Sequence, residues 1–260
     1  MTVKVDLLHV AEIIKEVAET EVMPRFRHLT AADIQQKTSS HDLVTTADKM
    51  SEKALRARLI SYMPGSLAVG EEETYVNPDA YERLKSDKYV WVIDPVDGTN
   101  NFSKGFDDFG IIVALVKNCQ TVCGWVYAPV REEMVVAELG AGAFFNDTRL
   151  HVADTDKVSD AVAITGGKYP ALKEKLKDTY WTHSAAIAYQ HLAMGKANYG
   201  VFSTKPIKPW DHAAGVLLHN EAGGYSSLLD GRPYIPYPVD GTLLLAPSKE
   251  RWHEVQGFVG

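Results

Sequence analysis

The sequence predicts an α/β fold of the α+β kind, in which an antiparallel sheet precedes a lobe of mixed strands and helices. Apolar β-rich segments follow one another between residues 110 and 145, and the short turns between them favour antiparallel pairing. After Asp160 the pattern changes to strands alternating with helices. We therefore expect one domain over 1–260, with an antiparallel-sheet lobe at about 1–150, an α/β lobe at about 151–260 and a cleft between them.

The composition is that of an ordinary globular protein, and the charge and the apolar segments argue against nucleic-acid and membrane partners. The 260 residues are 45% hydrophobic and 23% charged, enough for one large domain or two lobes. The net charge of -7, without a dense basic run, argues against a nucleic-acid partner. The N-terminal segment lacks an apolar core of signal-peptide length, and no stretch approaches the roughly 18 apolar residues of a membrane span. We expect a cytoplasmic protein with no nucleic-acid or membrane partner.

The elements before residue 100 follow from periodicity and from helix stop signals. Apolar residues at helical spacing predict an amphipathic helix from about Val5 to Phe26. A short strand through residues 41–45 then leads to a helix that ends near Tyr62, before a Pro-Gly pair. Short strands are predicted at 67–70 and 89–93.

The later elements continue the antiparallel sheet and then alternate. Residues 140–147 are glycine-rich, but they lack the Gly-Lys-Ser/Thr ending of a phosphate loop, so they predict a hairpin. The two cysteines are expected to be reduced core thiols, and the scattered histidines to be hydrogen-bonded or exposed. Strands are predicted at 110–116, 121–128, 133–138 and 161–164, and helices at 170–177, 184–194 and 211–221.

The stretch WVIDPVDGTNNF, residues 91–102, carries the densest chemical signal. A β-rich run ends at two carboxylates, Asp94 and Asp97, where a buried strand should emerge. Asp97 or Thr99 is positioned to cap a following helical turn, which would leave the amides of Gly98 and Thr99 for an anion. Carboxylates beside free amides suit a divalent cation and a phosphate together. Either half alone also fits an ordinary strand-to-turn junction.

Two further aspartates and a run of three glutamates are each consistent with an ordinary structural role. Asp48 and Asp211 each precede a helical pattern and are, as bare sequence, N-caps. The run Glu71-Glu72-Glu73 is typical of a solvated loop. It also directly follows a predicted strand, as Asp94 does, and two strand ends can bring their carboxylates to one cation.

These motifs together resemble the inositol monophosphatase family, which comprises magnesium-dependent, lithium-sensitive phosphomonoesterases. DPVDGT followed by Asn101-Phe102 resembles its metal-binding signature, and WDHAAG at 210–215 resembles its second signature. GEE at 70–72 and the pattern of Lys37, DLVT at 42–45 and Asp48 match it as well. The resemblance implies a layered αβαβα sandwich forming one catalytic domain, often a homodimer, which hydrolyses a small phosphorylated substrate with two to three Mg²⁺ ions.

The resemblance also implies a role for each matched residue. The attacking water would be activated by Thr99 with Asp48, and Glu72 would support the site. The implied ligands of one metal are Glu71, Asp94 and the carbonyl of Val96, and those of a second are Asp94, Asp97 and Asp211. A third, weaker metal would lie beside Glu71. The implied substrate contacts are Asp97, Gly98, Thr99, Ser184, Ala185 and Asp211.

Departures from the family pattern concern the substrate. The expected reaction is hydrolysis of inositol 1-phosphate, but many inositol-specific members carry a Glu where this chain has Thr204, and His183 replaces a usual glycine. Lys205 and Lys208 beside Thr204 favour a more anionic leaving group, although Lys208 alone also fits a solvated loop charge. Histidinol phosphate, fructose 1,6-bisphosphate and nucleotide phosphates such as NADP therefore remain alternatives. A metal-binding regulatory protein without turnover is the alternative from another class.

Overall fold

The computed structural model describes residues 4–37 and 43–259, so that His41 and Asp42 of the predicted motif lie outside the described residues. Within these ranges the helices are α1 (Leu7–Val17), α2 (Thr46–Tyr62), α3 (Glu71–Val76), α4 (Thr99–Ser103), α5 (Pro170–Lys175), α6 (Ala185–Ala193), α7 (Pro209–Glu221) and α8 (Lys249–Val255). The strands of the same ranges are β1 (Ile34–Gln36), β2 (Leu43–Thr45), β3 (Leu67–Gly70), β4 (Tyr89–Asp97), β5 (Gly110–Lys117), β6 (Gln120–Ala128), β7 (Glu133–Glu138), β8 (Gly142–Phe145), β9 (Thr148–Arg149), β10 (Val162–Thr165), β11 (Asp178–Tyr180), β12 (Tyr199–Phe202), β13 (Tyr225–Leu228) and β14 (Leu243–Ala246).

The large sheet has the order β3-β4-β5-β6-β7-β8-β9, and every neighbouring pair is antiparallel except β3 with β4. The small sheet has the order β11-β10-β12-β14-β13 and is mixed, with β10 parallel to both β11 and β12. Strands β1 and β2 form a separate antiparallel pair. The short turns predicted for the first half therefore do produce an antiparallel sheet, as expected.

The two sheets and their helices stack in five layers, because successive side chains of a strand point to opposite faces. On one face of the large sheet, Trp91 and Ile93 pack against α1 and α2; on the other, Val90 and Val92 pack in the core that contains α6 and α7. That central helix layer also contacts one face of the small sheet, whose opposite face packs on α8 through Trp252. The predicted αβαβα sandwich is confirmed.

Several element boundaries differ from the sequence prediction. Helix α1 ends at Val17 and continues as a π-helical turn over Ala18–Val22, and the helix predicted at 170–177 stops at Lys175. Strand β11 was not predicted, because its residues, Asp178–Tyr180, form a strand only by pairing with β10. No helix of the described chain is both long and apolar enough to cross a membrane.

Candidate metal centre and active site

An irregularity in β4 decides which way its two aspartates point. Asp94 pairs with Ile112 of β5 and Asp97 pairs with Gly110, so three steps on β4 match two steps on β5. The extra residue forms a bulge, which shifts the in-and-out alternation by one position. Asp94 and Asp97 therefore face the same side, whereas a regular strand would turn them apart. The strand was expected to end at Ile93 and instead contains both aspartates.

Asp211 joins these two residues from the start of α7. The three carboxylates, here called the aspartate cluster, each offer an oxygen within 4.8 Å of the others. Asp94 and Asp97 are buried, and Asp211 is partly buried. Asp211 was expected to be an N-cap on bare sequence, but Lys208 occupies the capping position of α7 and the Asp211 side chain faces the cluster.

The aspartate cluster is electrostatically strained without a cation. Burial raises the pKa of all three carboxyls, and the charge of Glu71 adds to this at each of them. The pKa of Asp97 rises to about 6 and that of Asp211 to about 8. Oδ1 of Asp94 is buried without a hydrogen-bond partner among the described residues, which costs free energy unless another group binds it. Convergent carboxylate oxygens with one unpartnered atom fit a hard divalent cation such as Mg²⁺.

Helix α6 holds the Asp97 carboxylate in place. Oδ2 of Asp97 accepts a hydrogen bond from the Ser184 hydroxyl and one of 2.7 Å from the amide of Ala186. The amide of Ala185 also favours the ionised form of Asp97. Ser184 is itself the N-cap of α6. Ser184 and Ala185 were expected to contact the substrate; in the structure their polar groups bind Asp97, so they act on a proposed metal ligand.

Thr99 and Asp48 form a hydrogen-bonded pair beside the cluster. Oγ1 of Thr99 lies 3.1 Å from Oδ1 of Asp48 and 3.0 Å from the carbonyl oxygen of Val96. Asp48 is not the N-cap expected from bare sequence. The N-cap of α2 is Thr45, whose amide and hydroxyl donate to Oδ2 of Asp48 over 2.8 and 2.5 Å. Burial raises the pKa of Asp48 to about 7, against the lowering effect of Thr45, so this carboxyl can exchange a proton near neutral pH.

The turn after Asp97 is set by backbone conformation. Asp97 or Thr99 was expected to cap α4, but neither does. The capping position is Gly98, with φ at +85° and no side-chain cap bond. A Cβ at Gly98 would also lie 3.0 Å from the carbonyl oxygen of Asp108. Both observations require glycine at this position.

The three glutamates after β3, here called the glutamate cluster, do not form a solvated loop. They begin α3, and Nζ of Lys37 lies 2.9 Å from Oε1 of Glu71 and 2.6 Å from Oε1 of Glu72. Glu73, which had no predicted role, pairs with Arg83 and Arg56. Glu71 is not part of the close aspartate cluster, although it lines the same cavity.

Glu52 is a site residue that the sequence pattern did not predict. From α2 it accepts the amide hydrogens of Glu72 and Glu73, over 2.7 and 2.9 Å, at the start of α3. A Cβ at Gly70 would lie only 2.2 to 2.6 Å from the Glu52 carboxylate, so the glycine of the GEE motif makes room for it. That glycine is the sequence signal that could have indicated a close neighbour.

The cavity over the aspartate cluster, here called the acid cavity, has a volume of about 330 Å³. Thr204 lines it where an inositol-specific member would have a glutamate, and Trp181 and His183 line it as well. Its other lining residues are Leu43, Glu71, Asp94, Val96, Asp97, Gly98, Thr99, Asn100 and Asp211.

Apart from His183, the cysteines and the histidines of the described chain do not line the acid cavity. Both cysteines are free, but only Cys123 is buried; Cys119 lies half-buried in the turn between β5 and β6, so the expectation of two core thiols was wrong for it. His212 and His219 are buried and hydrogen-bonded, as expected, through Nδ1 to the hydroxyls of Tyr189 and Ser226, while Nε2 of each has no partner among the described residues. Burial lowers their pKa to about 3 and about 4, which keeps both neutral.

Sequence comparison finds one family over nearly the whole chain. The model described as "Inositol monophosphatase family" matches residues 5–256. A Rhizobium meliloti inositol-1-monophosphatase is 35% identical over 204 residues, 73% of each chain. A Thermotoga maritima fructose-1,6-bisphosphatase/inositol-1-monophosphatase is 30% identical over 207 residues, 77% of each chain, and a Pasteurella multocida protein named Nus factor SuhB is 34% identical over 72% of each.

Structural comparison agrees with this result. A solved Thermotoga maritima IMPase superposes with a TM-score of 0.82 at 27% identity, covering 98% of this chain and 97% of that one. An IMPase/NADP phosphatase solved with Mg²⁺ and phosphate gives a TM-score of 0.80, covering 96% of this chain and 93% of its own. Its identity of 21% supports a shared fold alone.

Proposed function

The chain belongs to the inositol monophosphatase family and is a phosphomonoester hydrolase, and we propose that it hydrolyses a small phosphate ester with Mg²⁺ by direct attack of water. Inositol 1-phosphate is proposed as one of its substrates, because relatives 30 to 35% identical carry that activity in their names. The observation that carries the proposal is the aspartate cluster, with its buried, unpartnered Oδ1 of Asp94.

The proposed ligands divide between two principal ions. Glu71, Asp94 and the Val96 carbonyl would hold one, and Asp94, Asp97 and Asp211 the other, with a third and weaker ion beside Glu71. When bound, the ions supply positive charge to the phosphate and to the leaving oxygen and lower the pKa of a neighbouring water. Lys37 holds Oε1 of Glu71, so cation binding at Glu71 competes with this ion pair.

The remaining roles belong to side chains and amides of this chain. Thr99 and Asp48 orient the water and accept its proton, which the near-neutral pKa of Asp48 supports. The amides of Gly98 and Thr99, at the start of α4, bind phosphate oxygens. Glu72 positions Lys37 against Glu71. The new bond joins the water oxygen to phosphorus, the bond from phosphorus to the alcohol oxygen breaks, and the departing alkoxide takes a proton from solvent.

The test is phosphate release from inositol 1-phosphate, histidinol phosphate, fructose 1,6-bisphosphate, NADP and 3'-phosphoadenosine 5'-phosphate, with Mg²⁺ and with EDTA. We expect release from at least one ester with Mg²⁺ and none with EDTA. Release that persists in EDTA would contradict the metal mechanism. If a folded, Mg²⁺-binding protein released phosphate from none of these esters, the proposed hydrolysis of them would be contradicted.

A second candidate is a regulatory role like that in the name of the SuhB relatives, which are 31 to 34% identical. This candidate does not require turnover. The complete set of acidic residues and the Thr99–Asp48 pair favour hydrolysis. A protein that binds Mg²⁺ yet shows no turnover toward the panel would favour the regulatory candidate.

A further inference from the structure

A second cavity of about 340 Å³ lies next to the acid cavity, and the two share Glu71. We call it the lysine cavity; Lys37, Lys205, Lys208, Tyr81 and Trp210 line it with Glu71. One segment forms a wall of both cavities. Thr204 and Asp211 of that segment line the acid cavity, whereas Lys205, Lys208 and Trp210 line the lysine cavity. A molecule bound over the aspartates therefore has neighbouring space with a different lining.

The lysine cavity is lined by two ammonium groups that have no ion pair in the described ranges 4–37 and 43–259. Lys37 is bound to Glu71 and Glu72, whereas no carboxylate of these ranges lies within ion-pair distance of Lys205 or Lys208, although the charge of Lys208 acts on Asp211. Unpaired ammonium groups are unremarkable on an open surface. Here they line a concave site beside an acid cluster, in a chain of net charge -7. Such a site favours an anionic group over a neutral hydroxyl.

Lys208 also has a defined support. Its Nζ lies 5.3 Å from the ring centre of Trp210, which is 4% exposed and stacks on Tyr81 with ring centres 5.6 Å apart and planes at 9°. A cation over an indole face gains a favourable interaction and keeps a preferred position. The half-buried Lys208 is therefore directed by the buried Trp210 and the partly buried Tyr81, which argues against the alternative of a freely solvated loop charge.

We propose that the lysine cavity binds a second anionic group on the alcohol part of the substrate, so that Lys205 and Lys208 select esters that carry such a group over esters whose only anionic group is the scissile phosphate. This rests on the proposed phosphomonoester hydrolysis, because the scissile phosphate must occupy the acid cavity. It agrees with Thr204, a neutral side chain at the position where an inositol-specific member would have a carboxylate that repels such a group, whereas the shared Glu71 is paired with Lys37. Carboxylate and phosphate share this chemistry, and the test compares them.

The first test uses fructose 6-phosphate and fructose 1,6-bisphosphate, which differ by one phosphate, with Mg²⁺ and the wild-type protein. Lys205→Gln/Lys208→Gln is expected to raise KM for the bisphosphate about tenfold, as for loss of a charge-assisted hydrogen bond, and to leave KM for the monophosphate within about twofold. Lys157→Gln, at an exposed lysine without an ion pair in the described chain, is the matched control and should change neither. 3-Phosphoglycerate, which adds a carboxylate, shows whether that group can replace the second phosphate.

The second test needs no turnover. Binding of the same esters is measured by calorimetry with Mg²⁺ in a Thr99→Ala background, which leaves the proposed side-chain ligands unchanged. We expect the lysine substitutions to weaken bisphosphate binding about tenfold and monophosphate binding little. An equal loss for both esters, or no loss, would overturn the inference while leaving the proposed function intact. Selective loss of bisphosphate binding without turnover by the parent protein would support the cavity and contradict the proposed function.

Discussion

The aspartate cluster and Glu71 of the glutamate cluster line the same cavity, yet the protein treats the charge of the two clusters in opposite ways. The glutamate cluster is compensated by Lys37, Arg56 and Arg83. The aspartate cluster has no cationic side chain at ion-pair distance anywhere in the described part of the chain. Because uncompensated buried charge is costly, it persists where a ligand provides the compensation. The aspartate cluster therefore has the charge of a centre that binds an added cation, whereas the glutamate cluster is an internally paired scaffold beside it. Glu71 belongs to both settings, because it pairs with Lys37 and also lines the acid cavity.

The largest effect that would sharpen this comparison is expected from Asp97→Asn. Asparagine keeps the size of the side chain and one oxygen for the Ser184 hydroxyl and the Ala186 amide, while it removes one charge from the aspartate cluster. We expect kcat for the best ester to fall by about 100-fold or more, since electrostatic stabilisation in the site is weakened. The measurement is steady-state phosphate release at saturating Mg²⁺.

Thermal unfolding of the same variant separates charge loss from misfolding. In the wild type, Mg²⁺ at a hundredfold excess over Kd should stabilise the fold by about 2.7 kcal/mol. In Asp97→Asn that Mg²⁺-induced rise in Tm should be smaller, whereas Tm in EDTA should be equal or higher because repulsion is relieved. Undiminished turnover together with an unchanged Mg²⁺ response would remove Asp97 from the metal site.

An intermediate effect is expected from Glu52→Gln, which tests how the scaffold positions its metal-facing residues. Glutamine offers one acceptor where Glu52 accepts two amides of α3, so Glu71 and Glu72 lose their fixed orientation. We expect the Mg²⁺ concentration for half-maximal activity to rise about tenfold, as for other outer partners of metal ligands. The measurement is a Mg²⁺ titration of phosphate release.

Glu82→Gln is the control for that change, because Glu82 forms an exposed pair with Lys85 and does not line the acid cavity. It should leave the Mg²⁺ titration unchanged. If Glu52→Gln lowers Tm but shifts the titration no more than Glu82→Gln does, Glu52 supports the fold and has no positioning role.

The smallest effect is expected from Glu73→Gln. Its ion pairs with Arg83 and Arg56 lower the pKa of Glu73, against the raising effect of burial, so the ionised form is favoured in the fold. The pairs are partly exposed, which limits their contribution to about 1 kcal/mol or less. We expect a small fall in Tm at neutral pH and unchanged kcat and KM. A large loss of activity with an unchanged Tm would place Glu73 in the site.

Local patterns were sufficient for most elements and for the antiparallel sheet, because periodicity and turn residues depend on near neighbours, whereas the five layers were implied by the family resemblance. The site was predictable in part. Asp94 and Asp97 are only three positions apart in sequence, but their proximity to Asp211 was indicated only by the family resemblance. The contacts of Glu52 with α3, and of α6 with Asp97, join residues 20 and 89 positions apart, so no local pattern encodes them. Strand β11 was missed for the same reason.

The bulge in β4 ties the position of Asp97 beside α6 to the number of residues between it and Asp94. Deleting one residue between them would let the strand pair regularly with β5, but the two aspartates would then be two positions apart on the same face, without the turn that directs Asp97 toward α6. Inserting one would lengthen the bulge. A substitution such as Asp97→Asn changes the charge of the centre, whereas a change of chain length shifts Asp97 relative to the Ala186 amide that it binds.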